Sequence, residues 1–256
     1  MRPGFHIKRN TRVAGHFITV LLLTLSAAIL LCSCGRKIIS GQGDIVTEQR
    51  TATSFTEVNI SAPVKTIITV SPSSPASIQL KGYKNLLDNI RTDIKDGRLS
   101  ISVKDAVIIN TDEDIIAEIT CGDIAKLSAK GSSDVQVGGV IRNKQFETKL
   151  SGAGDVLIDN LLTGRFICNI SGAGRLDVKS GAVTKADLKV SGAGSIKAFG
   201  LFCTDANANV SGAGLIELRA TQKLNAKITG AGDIAYKGAP AVTSSVSGAG
   251  TISNAN

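Results

Sequence analysis

Aspartates that follow glycine-rich tetrapeptides are the first side chains in this sequence that could bind an ion. Asp134, Asp155 and Asp233 each occupy this position, and converging carboxylate oxygens are the ligands that Ca²⁺ prefers. The equivalent positions of the other copies hold different residues, Arg175, Ser195, Leu215 and Thr251. Because the acidic column is interrupted, we interpret the three aspartates as solvated turn residues and predict no metal site.

Carboxylates could also cleave polysaccharides, which requires two of them to face one another in a groove. Asp112-Glu113-Asp114 is the densest acidic cluster, and Asp177 and Glu217 stand singly in later repeats. The repeat pattern does not place any two of these carboxylates opposite one another. The chain has no Trp and only two tyrosines, Tyr83 and Tyr236, so aromatic platforms for sugars are scarce. We predict no catalytic residues and a non-enzyme, with a polysaccharide-active enzyme as the alternative.

Histidine and cysteine restrict the remaining chemistry. His6 and His16 are the only histidines. A chain that begins at Cys34 would therefore have no Ser-His-Asp triad, Cys-His pair or His-ligated zinc site. Cys121, Cys168 and Cys203 occupy different positions of the repeat. An odd number allows at most one internal disulfide, and we predict buried free thiols. No cofactor is expected.

The N-terminal segment is predicted to be a lipoprotein signal peptide, residues 1–33. It has four basic and no acidic residues, followed by an apolar stretch over residues 17–31, which is shorter than the roughly 20 residues of a spanning helix. Cys34 follows Ser33, an arrangement that resembles the lipobox of bacterial lipoproteins, whereas Cys32 would place Leu31 at the small cleavage position. We expect lipidation at Cys34 and a tether at residues 34–42. An ordinary secretory signal and an uncleaved anchor are the alternatives.

Removing this segment also removes much of the apparent basicity. The formal net charge falls from +8 to +4, and a nucleic-acid partner loses its main support. We expect an exported protein that is lipid-anchored to the outer membrane, on either its periplasmic or its surface side. The membrane is then one partner through the anchor, and a glycan or protein ligand is unidentified.

The elements that carry these residues are repeats. The tetrapeptide SGAG begins at Ser151, Ser171, Ser191 and Ser211, at a constant spacing, and further copies begin at Thr229 and Ser247, at a slightly shorter spacing. A degenerate copy, KGSS, occupies residues 130–133. Aliphatic columns flank the motif, with Leu150, Ile170, Val190, Val210, Ile228 and Val246 before it and Val156, Leu176, Ile196, Ile216, Ile234 and Ile252 after it. Apolar and polar residues alternate around both columns, as in strands with one buried face.

Each repeat is therefore a strand, a glycine corner, a second strand and a second turn. A β-hairpin array and a stacked coil both satisfy this order, and the columns favour the coil, because it places like residues above like. The corner glycines are predicted to be structural, since a tight corner needs positive φ and leaves no room for a Cβ. They are Gly152, Gly154, Gly172, Gly174, Gly192, Gly194, Gly212, Gly214, Gly230, Gly232, Gly248 and Gly250.

The first half of the exported chain is also rich in strand patterns but has no fixed tetrapeptide. We predict irregular β coils at residues 43–128 that cap a regular solenoid at residues 129–256, with a separate small β domain as the alternative. The outer residues of the later strands, such as Lys149, Asn169, Lys189 and Asn209, form a mixed polar ladder in which no single residue stands out as a ligand contact.

The whole of residues 43–253 resembles one family, named putative auto-transporter adhesin, head GIN domain, found on secreted and lipid-anchored proteins above all in Bacteroidetes. The matching segments are residues 43–50 (GDIVTEQR), 55–60 (FTEVNI), 85–87 (NLL), 96–101 (DGRLSI), the serial corners and 234–238 (IAYKG). The resemblance implies an all-β fold, a right-handed parallel β-helix, and no established reaction or ligand.

Together these features indicate a non-enzymatic envelope lipoprotein whose solenoid is an adhesin-like binding or structural module. The alternatives are the enzyme and a periplasmic scaffold or signalling partner.

Overall fold

The computed structural model describes residues 35–256, so the predicted signal peptide and Cys34 lie outside the described residues. Strands hold 72% of these residues and helix 2%, and the chain forms a β-solenoid of about 6 turns. The all-β solenoid predicted from the repeats is confirmed.

The regular part stacks one long strand per coil. Neighbouring strands pair in parallel throughout, which a hairpin array would not do, and aligned residues of the repeat are register partners, as in Phe146 and Phe166. Those two rings stack with centroids 6.0 Å apart. The strands are β10 (Lys126–Gly131), β11 (Val135–Gly152), β12 (Asp155–Gly172), β13 (Arg175–Gly192), β14 (Ser195–Gly212), β15 (Leu215–Gly230), β16 (Asp233–Lys237), β17 (Ala241–Gly248) and β18 (Thr251–Asn254).

Each coil has three short faces, and the pattern of buried and exposed residues along β12 shows where each face begins and ends. Alternate residues are buried along the strand, but the phase slips at residues 159–160 and again at 164–165. The buried side chains of the three faces are Val156 and Ile158, then Leu161 and Thr163, then Phe166, Cys168 and Ile170. The interior is therefore a narrow stack of aliphatic columns with one layer per coil.

The two glycines of each corner are required for different reasons. Gly192 has a φ of +121°, a conformation that L side chains rarely adopt. Gly194 has no positive φ, yet a Cβ there would lie 2.6 Å from the carbonyl oxygen of Gly174 in the preceding coil. The ladder runs on through the corner, because the amide of Ala193 donates to the carbonyl of Gly172 at 2.9 Å.

The shortening of the repeat after the fourth SGAG motif occurs at a different corner. Strand β14 pairs with β15 up to Ala198 and resumes at Phe202, so residues 199–201 have no register partner in the next coil. A second shift follows between Cys203 and Asp205, and the register is regular again from Asp205 to Gly212.

The first half is joined to the solenoid by ladders rather than by a linker. Strand β3 lies between β7 and β10, and β4 lies between β9 and β11, all in parallel. Three antiparallel pairings cover this end, β2 with β5, β5 with β9 and β6 with β7. The elements are β1 (Lys37–Ser40), β2 (Ile45–Arg50), β3 (Glu57–Ile60), β4 (Lys65–Val70), β5 (Ser77–Tyr83), α1 (Lys84–Leu87), β6 (Ile90–Lys95), β7 (Arg98–Val103), β8 (Val107–Asn110) and β9 (Ile116–Cys121).

Strand β1 corrects the prediction that residues 34–42 are only a tether. It pairs in parallel with β8, and Ile39 packs against the core. Asn85 fastens the segment, because its side-chain amide donates to the carbonyl of Ser40 at 2.7 Å and its Oδ1 accepts from the amide of Gln42 at 3.0 Å. Glycines on both sides made these residues resemble a linker in the sequence. None of the helices in residues 35–256 has the length and apolar character needed to cross a bilayer.

Replacing Gly192 with Ala should destabilise the fold. The new Cβ would lie 2.5 Å from the carbonyl oxygen of Gly172 at a φ that alanine avoids, so we expect a loss of about 2 kcal/mol or more. Thermal unfolding followed by circular dichroism measures the effect. Ala193→Ser, at the exposed neighbouring position, is the control, and equal melting temperatures for the two variants would contradict the corner geometry.

Candidate binding surface

A continuous surface lies on one side of the solenoid, across β7, β3, β10, β11, β12, β13, β14, β15 and β17 in that order. We call it the ladder face. Its outward side chains form two columns of register partners. The first column is Arg98, Glu57, Lys126, Glu147, Ile167, Asp187, Asn207, Asn225 and Thr243. The second is Ser100, Asn59, Ser128, Lys149, Asn169, Lys189, Asn209, Lys227 and Ser245.

A shallow groove of about 550 Å³ runs along the later coils of the ladder face. Its polar lining comes from Asn169, Asp187, Lys189, Asn207, Asn209, Asn225, Lys227, Thr243, Ser244 and Ser245. Small buried residues, Ala208 and Ala226, lie beneath these side chains. Amide, hydroxyl and ammonium groups thus recur along the groove at the strand spacing of about 4.8 Å, while most of the exposed lining area between them is apolar.

Side-chain hydrogen bonds fix the first column within this groove. Asn225 donates to the Oδ1 of Asn207 at 2.9 Å, Asn207 donates to the Oδ1 of Asp187 at 2.6 Å, and the Nε of Arg165 donates to its Oδ2 at 2.8 Å. Partial burial on its own would raise the pKa of the Asp187 carboxyl. The bonds from Asn207 and Arg165, with the charges of Arg165 and Lys185, outweigh burial and hold this pKa below its ordinary value.

In the earlier coils of the ladder face, ion pairs rather than amide hydrogen bonds connect the outward side chains. Arg98 contacts Glu57 at 2.7 Å, and Glu147 contacts Lys149 at 2.8 Å and Lys126 at 3.7 Å. The hydrogen bond from Lys149 is the largest cause that holds the pKa of Glu147 below its ordinary value, against partial burial and with help from Lys126. The two carboxylates offset two of these three cations, whereas Lys189 and Lys227 make no ion pair within residues 35–256.

The corner aspartates bind the backbone of the next coil. The Oδ1 of Asp134 accepts from the amide of Asp155 at 3.1 Å, and that of Asp233 accepts from the amide of Thr251 at 3.0 Å. The carboxylate of Asp155 lies 3.7 Å from Arg175. In the described part of the chain, no three His, Cys, Asp or Glu side chains are grouped to hold a metal ion. Two of the three aspartates therefore act as corner hydrogen-bond acceptors.

The structure separates the carboxylates that could have formed a catalytic pair. Asp177 and Glu217 belong to one column with Lys197 between them, so two strand spacings, about 10 Å, divide their backbones. Asp112, Glu113 and Asp114 are exposed in the loop between β8 and β9. None of the five lies in the groove of the ladder face, where Asp187 is the one acidic lining residue.

The three described cysteines are free and buried, as the sequence predicts. Burial raises the pKa of the Cys121 thiol to about 11 and that of Cys203 to about 12, with smaller contributions from Asp123 and Asp205. Burial also raises the pKa of Cys168. Thiolates are the reactive form, so these thiols are inert packing groups.

Two phenylalanines, one exposed and one half-buried, were missed in the sequence, where only tyrosines were considered as aromatic contacts. Phe202 is 50% exposed at the corner where the repeat shortens, and the guanidinium of Arg219 lies 4.5 Å from its ring centroid. The ammonium of Lys237 lies 4.8 Å from the Phe199 ring. Both rings are thus covered by cations on a side of the solenoid other than the ladder face. The shortening of the repeat was the available signal for this corner.

A family model described as putative auto-transporter adhesin, head GIN domain, matches residues 54–240. The chain belongs to this head GIN domain family. The resemblance inferred from the sequence motifs is therefore confirmed. No curated protein is significantly similar to the chain.

Solved structures share the head GIN fold over nearly their whole length. A "putative adhesin" from Bacteroides fragilis is 25% identical, with a TM-score of 0.79 over 84% of this chain and 99% of that one. A "putative lipid binding protein" from Parabacteroides distasonis is 22% identical, with a TM-score of 0.73 over 86% of this chain and 100% of that one. A "putative adhesin" from Parabacteroides merdae is 23% identical, with a TM-score of 0.69 over 86% and 99%.

Asp187→Asn should reduce stability in a pH-dependent way. Because the folded pKa lies below the unfolded value, the carboxylate stabilises the fold above the unfolded pKa, near 3.9, and this contribution is lost as the pH falls through the folded pKa. We expect a loss of about 1 kcal/mol at pH 7, limited by solvent screening of this partly exposed group, that shrinks below pH 4 in denaturant unfolding. Asp177→Asn, on a different face, is the control. A loss of the same size at pH 7 and pH 3 would contradict the role of the charge.

Proposed function

We propose that the protein is a non-enzymatic binding module of the cell envelope, held at the outer membrane by a lipid on Cys34, and that the ladder face is its binding surface. The observation that carries this proposal is the groove of about 550 Å³, whose polar groups recur at every coil. A ligand with its own repeat along one axis, such as a glycan chain, could meet equivalent groups at successive positions.

The chemistry of the groove favours binding over hydrolysis. Glycoside cleavage needs two carboxyl groups on opposite sides of the bond, and the lining supplies Asp187 alone, already bonded to Arg165 and Asn207. Amides and hydroxyls offer both donors and acceptors to sugar hydroxyls without providing an acid or a nucleophile. The family description and the adhesin name of the B. fragilis protein support the same interpretation.

The rigidity of the face also supports a binding role. Its backbone is fixed by parallel ladders on both sides of nearly every strand, and the side chains of Asp187, Asn207 and Asn225 are fixed by one another. Groups that are already ordered lose little conformational entropy when a ligand arrives. A preformed polar strip can therefore bind a hydrated polymer to which a mobile surface would bind weakly.

A bulky side chain in the groove should block ligand binding. Asn209 points outward and makes no side-chain hydrogen bond among the described residues, so Asn209→Trp can fold while filling the groove. We expect the wild type to bind at least one ligand on an array of glycans and matrix proteins, and Asn209→Trp to bind it at least ten-fold more weakly. Lys197→Trp, on a different face, should bind normally. An array with no bound ligand, or binding unaffected by Asn209→Trp, would contradict the proposal.

The lipid anchor predicts a specific labelling pattern. Radiolabelled palmitate should be incorporated into the wild type and into Cys32→Ala, and lost in Cys34→Ala, because Ser33 precedes only Cys34. Label that persists in Cys34→Ala would contradict the assignment. Protease treatment of intact cells then separates the two sides of the membrane, since cleavage requires surface display and complete protection excludes an adhesin.

A further inference from the structure

The second column of the ladder face carries a regular array of ammonium groups. Lys149, Lys189 and Lys227 alternate with Asn169 and Asn209, coil by coil. Adjacent coils are about 4.8 Å apart, so Lys189 and Lys227 lie two spacings apart along the solenoid axis, at about 10 Å. Positive charge thus recurs once in every two coils, with an amide in each coil between.

The two lysines within the groove are available to a ligand. Both are exposed and form no ion pair or side-chain hydrogen bond with the described residues, whereas Lys149 is held by Glu147. The one nearby carboxylate in the lining, Asp187, is already paired with Arg165 at 2.6 Å. The groove therefore presents two unneutralised cations, with Asn209 between them and Asn207 and Asn225 alongside.

We propose that this groove binds an acidic polysaccharide that carries one carboxylate in every two sugar units, with Lys189 and Lys227 each pairing one carboxylate. The proposal rests on the proposed binding function and names its ligand class. Two extended pyranose units match the length of two coils. The amides of Asn207, Asn209 and Asn225 then lie beside the uncharged sugar and can exchange hydrogen bonds with its hydroxyls.

Other linear anions fit the array less well. Side chains on one face of an extended peptide recur every two residues, at about 6.6 Å, which is out of step with the lysines. Single-stranded nucleic acids bind on aromatic side chains that stack with the bases, and the two columns of the ladder face contain no aromatic residue. Charge spacing and lining chemistry both select an alternating glycan.

The test measures binding of the full chain in detergent to three oligosaccharides of equal length. Hyaluronan fragments carry a carboxylate on alternate sugars, polygalacturonate carries one on every sugar, and chitin fragments carry none. We expect hyaluronan to bind at least ten-fold more tightly than the other two. Its affinity should fall with added salt, because exposed charges are screened.

Matched variants assign the effect to the two lysines. Lys189→Gln with Lys227→Gln should weaken hyaluronan binding at least ten-fold. Lys197→Gln with Lys65→Gln removes the same charge from exposed positions on a different face and should leave binding unchanged. Equal losses in both double variants, equal binding of polygalacturonate, or competition by single-stranded DNA at similar affinity would overturn the proposal.

The outcomes also separate this proposal from the binding function on which it rests. If chitin fragments bind as tightly as hyaluronan, and Asn209→Trp alone abolishes the binding, the ladder face is a binding surface and the charged ligand is wrong. If no oligosaccharide binds and the array also yields no ligand for the ladder face, both proposals fail.

Discussion

The stacking distance between coils is the constraint on which the rest of this structure depends. Parallel strands at about 4.8 Å leave no space for a Cβ between the carbonyl of one corner and the backbone of the next. Glycine at Gly192 and Gly194 satisfies this constraint in two ways, through a positive φ and through the absence of a side chain. Once the corners stack, every residue of a face stands above its equivalent, and the aliphatic interior follows.

The same constraint creates the candidate binding surface. A stack that aligns Leu188, Ala208 and Ala226 in the interior also aligns Asp187, Asn207 and Asn225 outside, because neighbouring residues of a strand point to opposite sides. The polar columns are thus as regular as the buried ones. A surface assembled from loops would have no comparable repeat to match to a polymer.

The regular half of the fold could be predicted because the corners are local. The SGAG motif determines the turn, and the flanking aliphatic columns indicate which side of each strand is buried. The first half was harder, since β2, β5 and β9 depend on antiparallel partners far away in sequence and β1 depends on Asn85. At the site, the sequence identified the polar ladder. It could not reveal that Asp187 is paired with Arg165 or that Asp134 caps the next coil, because both contacts join different coils.

The shortened corner at residues 199–201 has a consequence for how such proteins diverge. The stack accepts a shorter coil beside a longer one, because the strands regain their register before the next SGAG corner. The coil that follows pairs regularly with the shorter one, from Lys223 to Gly230. Solved structures only 22% to 25% identical to this chain retain TM-scores from 0.69 to 0.79. The shape of the solenoid is thus shared by chains in which most residues differ.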